Sequence, residues 1–353
     1  MSGVERTERR RGAIDRSHPP FNVNARPARA VSRYRRFLAD FPITALDIGA
    51  RGGIPVELAP LREHLQLIAM EPHAEEARRL EQRLGALGLR SCTVIPAAAG
   101  PEGGAYTLHV TRDPGRSSLL EPNPDVVGRY GEARAYDVIA KAPLRTRALG
   151  PLLDAHAPGA LDLLKLDCQG FELEVLRTLG AAQLERLLFI VTEVEFVELY
   201  RGQPLFRDVD RELAGHGFEL FHLSRVFTNW GEGRWRPYGR GQLQFADAYY
   251  LRTRTEALAP DALARLIFLA LYYGFADYAA HLARRNAAAL ASLPGEAGAA
   301  FRSAVAAGTA GGGAARALAG QARRVVNKLL QIALRWRRWN GRASDHDLDY
   351  PLR

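Results

Sequence analysis

The feature that most constrains the fold of this chain is a pair of short apolar segments. Each segment ends in an acid, and a glycine-rich turn separates the two. The first is LDIGARGGIP, residues 46–55, and the second is LIAMEPHAEEARRL, residues 67–80. An apolar strand ending in an acid, then a glycine turn, then a second strand ending in an acid is a common way to hold a nucleotide-like cofactor. The pattern therefore predicts an α/β protein, and it points to an enzyme.

The composition of the turn favours a small adenosine cofactor. Gly49, Gly52 and Gly53 have no Cβ, so the main chain can turn sharply and approach a ligand closely. Glu71 follows Gly53 by 18 positions, near the roughly 20-residue separation at which an acid meets ribose hydroxyls. Because the glycines do not follow G-x-G-x-x-G and Arg51 lies inside the turn, S-adenosylmethionine fits better than a dinucleotide. An ordinary glycine-rich turn of an α/β protein is the alternative.

Charge is unevenly distributed along the 353 residues. The net charge is +9, and residues 297–344 contain nine Arg and Lys but no Asp or Glu. Residues 41–296 are mildly acidic, so they offer no general basic surface for nucleic acid. We therefore expect no sequence-specific nucleic-acid partner.

The cysteine content and the hydropathy pattern limit the location of the protein. Cys92 and Cys168 are the only cysteines, too few for a disulfide framework or a thiolate metal site. The sequence shows neither a secretory signal nor an apolar stretch long enough to span a membrane. The expected location is the cytoplasm, with peripheral attachment to the inner face of the membrane as an alternative.

Strand and helix patterns alternate from residue 43 onward. This alternation predicts a parallel sheet with helices on both faces, and residues 218–224 and 242–252 predict a final antiparallel strand pair. Residues 256–291 are predicted to be helical, with a break near Gly274. The predicted divisions are a basic, partly flexible segment (1–40) with a short helix at 31–41, an α/β domain (41–253), a helical module (254–294), an Ala/Gly-rich linker (295–320), a basic amphipathic helix (321–340) and a tail (341–353).

The segment QARRVVNKLLQIALRWRRWN, residues 321–340, has a basic stripe and an apolar face at helical spacing. A basic amphipathic helix that also carries tryptophans suits the surface of an anionic membrane. A helix packed on its own protein explains the pattern equally well, because Arg337 interrupts the apolar side. Both interpretations stay open at this point.

Four carboxylates fall at the ends of two predicted strands. Asp167 ends the strand in LDLLKLDCQGFELEVL, where open α/β sheets place their ligand crevice, and Glu172 lies in the first turn of the next helix. Glu193 and Glu195 share one face of the following strand. If the strands are neighbours, these groups could take a proton from a hydroxyl, or Asp167 and Glu193 could hold a divalent cation. The alternatives are a helix-dipole role for Glu172 and solvated acids at the sheet edge.

A long polar loop, VTRDPGRSSLLEPNPD at residues 110–125, lies between two predicted strands. Loops in this position commonly contact the substrate. We therefore expect Ser117, Ser118 and Asn123 to donate to hydroxyls of the substrate, with Glu195 nearby, although an ordinary turn also explains these residues.

These motifs together resemble the FkbM family of S-adenosylmethionine-dependent methyltransferases. The matching pieces are LDIGARGG, AMEPHAEEARRL, GRSSLLEPN, LDLLKLDCQGFELEVL, EVEFVELYRGQPLF and GQLQFADAYYL, which together span residues 43–252. The resemblance implies a class I, Rossmann-like α/β methyltransferase sheet with an antiparallel terminal strand, here followed by a C-terminal helical extension. It also implies O-methylation, typically of a sugar or polyketide hydroxyl.

The resemblance assigns roles by position. Asp47, Gly49 and Gly53 would hold the amino-acid end of the cofactor, and Glu71 its ribose. Arg51 stands where the family often has Asn. The expected cofactor-binding residues are Asp47, Gly49, Ala50, Arg51, Gly53, Glu71 and Pro72; the residues expected to face the acceptor are Asp167, Glu172 and Glu193.

The expected function is therefore O-methylation of a sugar, a glycan, or a glycosylated or polyketide intermediate. Two alternatives stay open: a methyltransferase for a protein or RNA acceptor, and a non-catalytic module that keeps the fold and acts through a membrane-facing helical tail.

Overall fold

A computed structural model describes residues 14–15, 26–156, 159, 161–231 and 241–309. The basic amphipathic helix predicted at 321–340, the tail at 341–353 and part of the predicted linker lie outside these residues.

Seven strands form one central sheet, and shorter pairings flank it. The sheet order is β11-β12-β10-β9-β2-β4-β5, with a separate three-stranded sheet β6-β8-β7 and a parallel pair β1-β3. The strands are β1 Ile14–Asp15, β2 Ile43–Ile48, β3 Ile54–Pro55, β4 Leu65–Met70, β5 Ser91–Ile95, β6 Ala98–Ala99, β7 Ala105–Thr111, β8 Val138–Arg147, β9 Leu163–Leu166, β10 Phe189–Glu195, β11 Phe218–Thr228 and β12 Gln242–Arg252.

The direction of the strands confirms the predicted sheet. Strands β5, β4, β2, β9 and β10 run parallel, and β12 pairs antiparallel with both β10 and β11. The central strands are buried on both faces, which is why they appear in the sequence as nearly continuous apolar runs. The fold is the class I, Rossmann-like α/β arrangement with one antiparallel strand, β12, between β10 and β11.

Helices cover both faces of the sheet. They are α1 Arg26–Asp40, α2 Ala74–Gly85, α3 Pro124–Val127, α4 Leu149–His156, α5 Glu172–Arg177, α6 Ala181–Arg186, α7 Phe206–Gly215, α8 Pro260–Tyr272, α9 Ala276–Arg285, α10 Ala287–Ala291 and α11 Gly295–Thr309. Helices α1, α2 and α8–α11 pack on one face, and α4–α7 pack on the other. The break expected near Gly274 separates α8 from α9, where this glycine has a φ of 92°.

Two predictions about the ends of the described chain need correction. Residues 26–40 form one long helix, where a partly flexible segment with a short helix at 31–41 was expected. Residues 295–309 form α11, so the predicted linker is wrong over this range. The ring of Phe301 in α11 is fully buried and lies 4.6 Å, between centroids, from that of Phe37 in α1. This single aromatic anchor is easily overlooked in an Ala/Gly-rich sequence.

No helix in the described part of the chain is long and apolar enough to cross a membrane.

Candidate active site

Charged side chains occupy one face of the sheet at the carboxyl ends of its central strands. Asp47 on β2 is the register partner of Lys165 on β9, and Glu193 on β10 is the partner of Asp247 on β12. Earlier positions on the same face are apolar and pack against helices. The face therefore changes from a hydrophobic core to an ionisable surface where open α/β sheets bind ligands.

The glycine turn brings the end of β2 against the end of β9. Gly49 has a left-handed φ of 87°, and a Cβ built on it would lie 2.2 Å from the carbonyl oxygen of Asp167. Gly53 has a φ of 104°, and its N–H donates to the Ala50 carbonyl at 2.9 Å. Ala50 is buried, and the side chain of Arg51 lies outside the described residues. Only glycine fits at position 49, because the turn and the neighbouring strand end are in contact there.

Glu71 follows β4 and is held at the same edge of the sheet. Its N–H donates to the Ile95 carbonyl at 3.2 Å, and its Oε1 accepts from the His73 N–H at 3.0 Å. The carboxylate is buried, and Pro72 beside it is half-buried. A carboxylate fixed in this way can accept hydrogen bonds from vicinal ribose hydroxyls, so this position fits the adenosine half of the expected cofactor.

Lys165 links the cofactor side of the site with the carboxylates. Its Nζ lies 3.7 Å from Asp47 Oδ1 and 3.6 Å from Asp167 Oδ2. Burial alone would lower the pKa of Lys165, but Asp47 and Asp167 raise it above its usual value. A permanent cation between the two carboxylates favours their charged forms.

Gln169 lies at the centre of the site, although it was not among the expected site residues. Its Nε2 donates to Asp167 Oδ1 at 3.0 Å and to Glu193 Oε1 at 2.9 Å. Its Oε1 accepts from the Tyr200 hydroxyl at 3.0 Å. With a φ of 53°, Gln169 is the one non-glycine residue in the left-handed region within the described part of the chain. A side chain kept in a rarely populated backbone conformation by several partners indicates a functional constraint.

The long loop predicted to contact substrate is tied to this same residue. Ser118 Oγ donates to the Gln169 carbonyl at 2.7 Å and accepts from the Leu120 N–H at 3.0 Å. Tyr200, which binds the Gln169 side chain, is also held by Gln203, whose Oε1 accepts from the Tyr200 N–H at 2.5 Å. The loop, the β9–α5 turn and the segment after β10 therefore form one connected network around Gln169.

The other two loop residues bond to backbone groups of the loop. Ser117 Oγ accepts from the Thr111 N–H at 3.2 Å, and Asn123 Oδ1 accepts from the Asp125 N–H at 3.3 Å, at the start of α3. These contacts shape the loop. Direct contact of Ser117, Ser118 and Asn123 with substrate stays a prediction.

Glu172 and Glu195 are buried behind the mouth of the site. Glu172 Oε1 accepts from the Cys168 N–H at 2.6 Å, and burial followed by repulsion from Glu193 raises the pKa of Glu172 to about 8. Burial and then repulsion from Glu172 raise the pKa of Glu195 well above its usual range. Burial and mutual repulsion thus favour the protonated forms of Glu172 and Glu195.

The predicted divalent cation finds no support in the geometry. Within the described ranges, no group of three or more His, Cys, Asp and Glu is arranged to hold a metal ion. Between Asp167 and Glu193 the structure places the Nε2 donor of Gln169.

The sheet order, the glycine turn at the end of β2 and the acid after β4 define a class I methyltransferase. Residues 47–220 match the family model of the methyltransferase FkbM domain. This part of the chain is therefore an FkbM domain, and its cofactor is S-adenosylmethionine. The resemblance inferred from the motifs is confirmed.

The chain matches several solved structures at low identity, and three of them are described here. Precorrin-6y C5,15-methyltransferase from Geobacter metallireducens GS-15 is 10% identical over 62% of this chain and 87% of its own, with a TM-score of 0.32. Magnesium protoporphyrin IX methyltransferase from Synechocystis PCC 6803 with bound SAH is 10% identical over 71% and 94%, with a TM-score of 0.32. TrmK from M. capricolum in complex with SAH is 7% identical over 74% and 85%, with a TM-score of 0.30. Comparison with curated proteins gave no match.

Proposed function

We propose that this methyltransferase transfers the methyl group to a hydroxyl of a sugar, a glycan, or a glycosylated or polyketide intermediate. The observation that carries the proposal is the pair Asp167 and Glu193, which share one amide donor at the mouth of the site. Two carboxylates held in fixed positions suit a substrate with hydroxyls on neighbouring carbons.

The chain offers a place for the cofactor on the other side of Lys165. S-adenosylmethionine supplies an electrophilic methyl group on a sulfonium, whose departure as a neutral thioether needs no acid. Asp47 and the turn from Gly49 to Gly53 would hold the amino-acid end, and Glu71 would accept from the ribose hydroxyls. Fixing both reactants in line is the main contribution of the protein to such a displacement.

Asp167 is the residue best suited to accept the hydroxyl proton. Its side chain is 17% exposed, whereas Glu172, Glu193 and Glu195 are buried. As the new C–O bond forms, the hydroxyl proton passes to Asp167, and Gln169 keeps the carboxylate aimed at the acceptor. Glu193 orients a second hydroxyl through its remaining acceptor capacity.

The test is methyl transfer by Asp167→Asn, compared with binding of S-adenosylhomocysteine. We expect kcat/KM on a responsive sugar acceptor to fall at least about 100-fold, since general-base catalysis contributes about 10²–10⁴-fold, while cofactor affinity stays close to that of the wild type. Asp125→Asn, which changes an exposed carboxylate at the end of the loop at residues 110–125, is the matched control. Full activity of Asp167→Asn would reject the role of this carboxylate, and a wild-type enzyme active only on protein or RNA would reject the sugar-like acceptor.

A further inference from the structure

A groove of about 650 Å³ lies between helices α1, α8, α9 and α11, and none of its lining residues belongs to the active site. Apolar atoms form most of its surface. The floor is made by Ala30, Tyr34, Ile267, Leu271 and Val305. We call this feature the helical groove. A mostly apolar groove of this size suits a hydrocarbon chain better than a polar metabolite.

The rim of the helical groove is basic. Arg29 and Arg33, four residues apart on one face of α1, and Arg284 on α9 line it, and all three are exposed. No Asp or Glu is among the described lining residues, and none of these three arginines forms an ion pair with another described residue. By contrast, Arg265 on α8 pairs with both Asp162 and Asp261. The unpaired rim arginines supply charge complementary to an anionic head group, and guanidinium groups suit phosphate in particular.

The sequence that follows α11 is basic, like the rim of the groove. Val305 of α11 lines the groove, and the sequence from Thr309 to residue 344 contains no acid. The segment at 321–340, predicted to suit an anionic membrane surface, begins 12 residues after α11 ends. For covalent lipid anchors, a single acyl chain gives only marginal membrane binding, and a basic segment can supply the second signal that stable attachment needs.

We propose that the helical groove binds an anionic membrane phospholipid, with its acyl chain along the apolar floor and its phosphate between the arginines of the rim. The protein then docks on the membrane through the α1–α9 side. This inference goes beyond the proposed methyl transfer and does not depend on it.

The first test measures partition of the full-length protein onto vesicles of phosphatidylcholine with and without phosphatidylglycerol. Because each basic residue near an anionic surface contributes about 1 kcal/mol, we expect Arg29→Glu/Arg33→Glu to reduce binding to the anionic vesicles at least about tenfold. Arg35→Glu/Arg36→Glu is the matched control, since it makes the same charge change on exposed positions of the same helix outside the groove. An equal loss of vesicle binding in both double variants would indicate nonspecific electrostatic attraction. No loss in either variant would show that the rim arginines do not contribute to binding. Either result overturns the proposal.

A second variant tests the floor without changing charge. Ala280 on α9 is half-buried and lines the groove, so Ala280→Trp fills the space where the acyl chain would lie. We expect weaker binding to anionic vesicles at an unchanged melting temperature. Unchanged vesicle binding by this variant would show that the lipid does not enter the groove. Displacement of the protein by an equal concentration of glycerol phosphate would identify a soluble phosphate ester as the ligand, which also overturns the lipid assignment.

Discussion

The side-chain amide nitrogen of Gln169, in the turn after β9, donates a 2.9 Å hydrogen bond to Glu193 on the neighbouring strand β10. The same nitrogen also donates to Asp167. Parallel neighbouring strands bring two carboxylates to one edge of the sheet, where their repulsion would push them apart or force one to take a proton. The shared amide donor compensates for that repulsion. It also holds both carboxylates in position.

Gln169→Glu should therefore reduce methyl transfer by about 10–100-fold, since a hydrogen bond to a charged group is worth about 1.5–3 kcal/mol. The deficit should narrow as the pH falls, because the introduced carboxyl can donate one hydrogen bond again once it is protonated. Gln169→Ala removes the donor without adding a titratable group, so any pH dependence of its deficit comes from Asp167 and Glu193 alone. The measurement is kcat/KM against pH for the wild type and both variants. If the ratio of kcat/KM for Gln169→Glu to kcat/KM for the wild type stays constant across the pH range, the bridging role of Gln169 is contradicted.

Glu172 makes the stability of the fold depend on pH. Its pKa of about 8 in the folded protein lies above the ordinary value near 4.5, so between these values the folded state binds more protons than the unfolded state. Its contribution to stability is therefore present below about pH 4.5 and is lost as the pH rises towards about 8. Glu172→Gln keeps an oxygen for the Cys168 N–H and removes the titration.

We expect urea unfolding of Glu172→Gln to show a shallower loss of stability between about pH 5 and about pH 8, by up to about 1.4 kcal/mol per pH unit. Glu174→Gln, on the same helix but with a much more exposed carboxylate, should leave the slope as it is in the wild type. The same slope in Glu172→Gln and wild type would show that this carboxyl is not the source of the dependence.

Alanine variants at Gly49 and Gly88 separate the energetic cost of backbone strain from the cost of a steric clash. Both have a left-handed φ, 87° and 71°, but a Cβ at Gly49 meets the Asp167 carbonyl while a Cβ at Gly88 meets nothing within 4 Å. Alanine at either position costs about 1–2 kcal/mol of strain. Gly49→Ala should cost about 1–3 kcal/mol more through overpacking, measured as the free energy of unfolding in urea. Equal costs for the two variants would mean that the turn does not press against β9.

The apolar runs were sufficient to predict the sheet, but not the centre of the site. Strand β2 begins at residue 43, where the alternation of strand and helix patterns was predicted to start, because a strand buried on both faces is a mostly apolar run. Gln169 could not be recognised, because its role depends on a left-handed backbone and on partners 24 and 31 residues away in the chain. The one local signal that could have identified Gln169 is that it is a polar residue directly before a glycine of the motif.

Helix α11 was missed for a different reason. Gly and Ala make its local sequence look like a linker, whereas its stability comes from packing against α1 and in particular from Phe301. Tertiary contacts supply most of the stability of such a helix, and intrinsic propensity gives little indication of them. The position of Lys165 between two carboxylates could not be predicted from the sequence either, because it follows from the register of β2 with β9.

Glu71 provides the most direct test of the cofactor site. Replacing it with alanine removes the carboxylate that the His73 N–H holds at the end of β4, and charged hydrogen bonds of this kind are worth about 1.5–3 kcal/mol each. Isothermal titration with S-adenosylhomocysteine should therefore show binding by the wild type that weakens about 10–100-fold in Glu71→Ala. Glu75→Ala, on the exposed side of α2, should bind as the wild type does. Equal affinity in both variants would mean that other groups bind the ribose, whereas absence of binding by the folded wild-type protein would show that this chain keeps the fold without the cofactor.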